Sequence, residues 1–150
     1  MGTPLGLLAR WSDPVLGELV WDDAEQIWRG TVALAGHFVR LSLGPVPRPA
    51  SRGDQLALVG PSRAVLEGLR RVEPELRRRA AEALAEQVAE PDAEGELSAE
   101  DVAGAMELEE VNPHGDGGML VYSSRELFPI WPVLVFFNEG LAFEDVDFGE

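Results

Sequence analysis

The chain has 150 residues and a mass of 16.3 kDa, enough for one domain that folds without covalent staples. It contains no cysteine, which excludes disulfides, thiolate metal sites and cysteine nucleophiles. Its 27 acids outnumber 12 bases, all of them arginine, and a net charge of −15 argues against nucleic-acid phosphate and for basic protein partners.

Leu5 to Ala9 are apolar but too few for a signal-peptide core, and the apolar run Ile130 to Phe137 is far short of a membrane span. A cytoplasmic chain without membrane contact is the expectation. Gly17 to Trp21 reads as a strand, Asp22 to Gln26 as a hairpin loop, and Ile27 to Leu34 as the return strand. In the latter, Trp28, Val32 and Leu34 share a face. Ala35-Gly36 offers a tight turn, since glycine tolerates positive φ, and His37 to Leu43 completes a three-stranded antiparallel meander. Residues 44–61, beginning with the Pro/Gly-rich stretch Gly44 to Gly53, read as a loop insert.

A helical region follows from Ser62 to Val88. Val65, Leu69, Val72, Leu76, Ala80 and Ala83 recur at spacings of three and four and form one buried stripe. Pro74 predicts either a kink or a break into two helices. An acidic loop spans 90–97. Ser98 to Asp101 has capping-box spacing and opens a short helix through Ala103. Met106 to Val111 and Met119 to Ser123 read as strands around the turn cluster Asn112 to Gly118. Val133 to Phe137, apolar throughout, reads as a central strand covered on both faces or as one at an interface. Leu141 to Phe148 closes the chain. Residues 1–150 thus predict a single α+β domain: an antiparallel sheet of about six to seven strands packed against a central helical segment.

Several of these stretches also carry a resemblance. Leu16 to Leu19 with Trp21, Trp28-Arg-Gly-Thr-Val32, and Gly36 through Leu43 resemble the opening of an uncharacterised bacterial domain family with the pattern G-x-L, W-x-G-x-V, G-x-x-V-x-L-x-L. The similarity runs over about residues 15–149, and the insert at 44–53 and the wholly arginine basic set depart from the pattern. Some relatives occur among toxin-immunity proteins, so the resemblance implies an immunity-like role. It brings no catalytic residues.

Candidates for chemistry are few. His37 and His114 are the only histidines, no H-E-x-x-H or G-x-S-x-G occurs, and Ser123-Ser124 lacks an assigned base. The arginines of the helical region each find a glutamate within helical reach, among them Glu73 for Arg77 and Glu75 and Glu82 for Arg78, and read as a salt-bridged outer face. Acids are the strongest feature. Residues 1–75 sum to −1 (nine acids, eight arginines) and residues 76–150 to −14 (eighteen acids, four arginines). Glu107 and Glu109 share one strand face, and Asp145 and Asp147 share another. Trp131, between Pro129 and Pro132, is a candidate interface anchor.

The sequence therefore favours a non-enzymatic binding domain that presents Glu107, Glu109, Asp145, Asp147 and Trp131 to a basic protein. No cofactor, metal or nucleic acid is expected. One alternative is a small hydrolase or divalent-metal enzyme using those carboxylates, which requires neighbouring strands to bring them together. Another is a homo-oligomeric module, possible as a homodimer, using an apolar face beside Val133 to Phe137.

Overall fold

The computed structural model describes residues 7–46, 50–88, 98–114, 116–124 and 127–148, with no side-chain description at 88 and 128–130. The acidic stretch 90–97 lies outside them. Eight strands and two helices follow in chain order. They are β1 (Arg10–Asp13), β2 (Gly17–Asp22), β3 (Ile27–Leu34), β4 (His37–Leu43), α1 (Arg52–Val88), α2 (Ala99–Ala105), β5 (Glu107–His114), β6 (Gly117–Ser124), β7 (Phe128–Asn138) and β8 (Phe143–Phe148).

All eight strands form one sheet in sequence order, so two four-stranded meanders lie edge to edge. Every pairing is antiparallel except β4 with β5, which is parallel through Arg40–Glu110 and Leu41–Val111. The helices between those strands return the chain to the sheet in its original direction, which hairpin turns cannot do. The expected α+β class holds, with more strands than the six to seven expected.

The helix is where expectation and structure differ most. Residues 52–61, expected in the loop insert, are the first turns of α1, which then runs unbroken for 37 residues through both Pro61 and Pro74. Its start is a capping box, with Asp54 N–H donating to Ser51 Oγ at 3.1 Å and Ser51 N–H to Asp54 Oδ2 at 2.9 Å. Both prolines face solvent, where the carbonyl each leaves without an intrahelical donor reaches water.

One face of α1 carries Val59, Leu66, Leu69, Leu76, Ala80 and Leu84 onto the sheet, all essentially inaccessible to solvent. Opposite them stand Leu19, Trp28, Leu41, Leu108, Val111, Leu120 and Val133. Each such leucine contributes about 2 kcal/mol by leaving water. Polar anchors fix the helix start. The buried Gln55 side chain clamps Leu8 through two hydrogen bonds of 2.8 Å, and its carbonyl accepts the Trp28 indole N–H at 3.0 Å. Trp28 also stands edge-on to Trp21, with centroids 5.2 Å apart.

Two strands extend beyond their expected limits. β5 continues through Asn112 to His114, which had read as a turn. Pro113 is tolerated because the pairing with β4 has ended at Val111, so no ladder donor is required on that side. β7 is not central. It is the next-to-last strand, and its inner residues Val133, Val135 and Phe137 are buried while Leu134 and Phe136 on the outer face are half-exposed.

Candidate functional site

Both helices lie on one side of the sheet, and no helix among the described residues covers the other. The register shows what that outer face displays. Across β5 to β8, one row reads Glu110, Val121, Leu134, Asp147 and the next Asn112, Met119, Phe136, Asp145. Side chains directly opposite in a ladder share a face, so four half-buried apolar residues form a patch with carboxylates along its β8 border and Glu110 on its β5 border. Phe38, 77 % exposed, extends the apolar surface on β4 beside Arg40, whose Nε lies 3.4 Å from Glu110.

The four carboxylates of the sequence reading do not converge. Glu107 and Glu109 do share a face. Ser123, opposite Glu107 in the ladder, donates to Glu109 Oε1 at 2.7 Å, and a bulge between Leu108 and Glu110 turns Glu110 to the same side. Asp145 and Asp147 also share a face, but on β8, three strand spacings or roughly 14 Å away. The two acid rows are not on neighbouring strands. Among the described residues no three of His, Asp or Glu gather as a metal site. A shared cation or an acid/base pair built from both rows is thereby excluded.

Asp145 and Asp147 have a local duty as well. Val146 N–H donates to Asp145 Oδ1 at 2.9 Å and Phe148 N–H to Asp147 Oδ1 at 2.8 Å. N–H groups two residues apart on a strand point the same way, and β8 ends the sheet, so these donors belong to its outward edge. Each carboxylate occupies a donor that a passing strand would otherwise take, which protects the edge from indiscriminate pairing. Trp131 is 46 % exposed and stands two residues beyond the last β7–β8 pair, Val133 with Phe148, away from the outer patch.

At one corner of the outer patch is a hollow of about 430 Å³. Met119, Phe136 and Phe137 supply its apolar wall, Asn112, His114, Asp116 and Glu144 its polar one, and Gly44 and Pro45 border it after β4. Asp116 and Glu144 are exposed and have no cationic partner among the described residues. Asn112 Oδ1 is buried without a hydrogen-bond partner. A sequence reading misses this corner because it joins residues about thirty apart in the chain. The signal available was the pair of acids flanking two turns.

A second cavity of about 400 Å³ lies at the end of the sheet, where α1 and the end of α2 meet β4 and β5. Arg77, His37, Glu107 and Ser123 line it, with Gly104 and Ala105 of α2. Arg77 belongs to a buried network rather than to the salt-bridged outer face expected. Glu73 is 3 % exposed, and its Oε1 accepts Arg77 Nη2 at 2.7 Å, Arg77 Nε at 3.0 Å and the Tyr122 hydroxyl at 2.8 Å. Burial and the neighbouring Glu73 carboxylate push the Tyr122 hydroxyl far above its ordinary range, so it stays a donor. Burial alone would lower Arg77, but Glu73 holds it charged. The surface part of the expected helix face is present, since Arg78 pairs with Glu75 and Glu82.

His37 is committed to structure. Its Nε2 lies 2.6 Å from the Leu108 carbonyl and its Nδ1 3.2 Å from the Ala35 carbonyl. A neutral imidazole donates once, so two carbonyl partners favour the doubly protonated ring. The Leu108 carbonyl first, then that of Ala35 and the charges of Glu107 and Glu109, outweigh desolvation and raise the His37 pKa above 6.5. The charged ring's stabilisation is complete below the unfolded value and is lost as pH rises through the folded one. Thermal unfolding followed from pH 6 to pH 9 should show a falling Tm that His37→Gln flattens, and His37 ring resonances should titrate above 6.5. A value at or below 6.5 would remove the effect. With both nitrogens engaged, His37 is not placed to act as base or metal ligand.

Comparisons with protein-family models, curated proteins and solved structures gave no match.

Proposed function

We propose that the chain is a non-enzymatic binding domain whose outer sheet face, over β5 to β8, receives a basic protein. The observation that carries this reading is the register itself. Val121, Leu134, Met119 and Phe136 form a half-buried apolar patch bordered by Asp145 and Asp147 on one side and Glu110 on the other. Apolar centres with charged rims are how protein interfaces are built: the centre supplies burial, and the rim supplies partner choice and steering. The charge supports a basic partner and disfavours a second copy, because at −15 per chain two such faces repel. Covering and neutralising a basic toxin is one role this face suits, as the sequence resemblance implies.

The test is affinity capture from host lysate at low salt, with the parent and with Asp145→Asn and Asp147→Asn combined with Glu107→Gln and Glu109→Gln. The amides keep an oxygen acceptor for the backbone donors of β8, so the edge and the fold are preserved. The captured protein is then purified and its complex mapped by hydrogen exchange. One basic protein, retained by the parent, released by the variant or by salt, and protecting β5 to β8, is the expected result. Capture of nothing, equal retention by the variant, or protection confined to the helix side would overturn the reading.

A further inference from the structure

The hollow at the corner of the outer patch has the chemistry of one particular side chain. We infer that it is an arginine pocket, seating a single guanidinium from the partner; this rests on the docking reading above and names its anchor. A volume of about 430 Å³ admits one long side chain. Its walls are of two kinds. Met119 and Phe136 offer an apolar surface and a partly exposed ring, while Asp116, from the turn between β5 and β6, and Glu144, from β8, border the same space with carboxylates.

Guanidinium suits that combination better than ammonium does. It is flat, more weakly hydrated, stacks on aromatic faces, and donates in a fork that two carboxylate oxygens accept. Neither Asp116 nor Glu144 spends its charge on an arginine of this chain among the described residues. Asn112 lines the same hollow, and its Oδ1 is buried without a hydrogen-bond partner. An anion is repelled by the two acids, and a divalent cation finds no ligand set: His114 lines the same hollow, but among the described residues no three of His, Asp or Glu gather as a metal-binding group.

The experiment is a titration of the ¹⁵N-labelled chain with Nα-acetyl-arginine amide, in parallel with the lysine analogue and with the citrulline analogue, which has nearly the same shape without the charge. Saturable shifts centred on Gly118, Met119 and Glu144 are expected, with a dissociation constant of about 1 mM, as befits one side chain. Citrulline should bind about tenfold more weakly, with lysine between them. Asp116→Asn combined with Glu144→Gln should abolish the shifts while leaving Tm unchanged, since both side chains are exposed. Equal binding of citrulline, shifts centred elsewhere, no saturable binding, or full binding by the double variant would overturn the pocket. The two readings fail separately. A basic partner still held by the face of the double variant sinks the pocket alone. Arginine in the hollow, with partner retention indifferent to Asp145 and Asp147, sinks the face.

Discussion

Replacing Glu73 by alanine is expected to destabilise the fold by about 3 kcal/mol, although the substitution improves helix propensity. Three donor bonds converge on Glu73 Oε1, two from Arg77 and one from Tyr122, and the carboxylate is 3 % exposed. Alanine leaves a buried hydroxyl and a half-buried guanidinium without their acceptor, and a cavity where the carboxylate stood. Arg77 keeps 26 % of its side chain in solvent, so water recovers part of its loss and the cost falls at the low end for a broken buried pair. Glu73→Gln, which keeps an acceptor but no charge, should cost about half as much. Tyr122→Phe, removing a donor and leaving Arg77 paired, should cost about 1 kcal/mol. Glu73→Leu with Arg77→Leu should recover part of the loss, because the leucines continue the apolar stripe and no charge is stranded, while the buried Tyr122 hydroxyl still lacks its acceptor. Urea unfolding of the series checks the order. A double variant as unstable as Glu73→Ala would show that the network supplies more than the desolvation it costs.

The same residue shows how far the sequence could be read. Glu73 lies four after Leu69 and three before Leu76, squarely within the stripe that buries α1. Spacing alone made Glu73 to Arg77 one more surface pair, because a helix-spaced ion pair looks the same on either face. What distinguishes it is Tyr122, the only tyrosine, which meets it from a strand 49 positions away in the chain. Local signals fared better where one residue type decides the outcome. The strands β2, β3, β4 and β6 lay close to where alternation and turn glycines put them, and the capping box at Ser98 is present. The start of α1 read as loop because the Pro/Gly-rich stretch Gly44 to Gly53 set the expectation there, whereas the Ser51–Asp54 box and the packing of Gln55 and Val59 make it helix. β1 has four residues and pairs on one side only, too little for a periodic signal. The acid rows were legible as faces of strands. Their separation was not, because strand order is a tertiary property that alternation does not encode.

Gly117→Ala should be the most damaging single methyl in the chain, costing about 3 kcal/mol or more and lowering Tm by about 10 °C. The reason is the coincidence of two constraints, which Gly44 (φ +125°, with the Gln26 carbonyl oxygen 2.9 Å from an added Cβ) meets in milder form. Gly117 has φ +139°, a conformation essentially closed to side-chain-bearing residues, and an added Cβ would fall well inside contact distance of the Phe137 carbonyl oxygen. That oxygen is backbone in the adjacent strand, so it retreats only if β7 shifts with it. Gly36→Ala is the first control. Its φ is +84° but nothing lies within 4 Å of the added atom, so the cost should be the left-handed penalty alone, about 1 kcal/mol. Gly68→Ala is the second. Its Cβ would meet the flexible end of Leu141, which can rotate aside, and a helical alanine gains propensity in return, so the net change should be small. Thermal unfolding of the three variants separates conformation from collision. If Gly117→Ala proved no worse than Gly36→Ala, the close approach of β6 to Phe137 would be refuted. The hollow bordered by Gly118 would then lose the rigid wall that its recognition of a guanidinium requires.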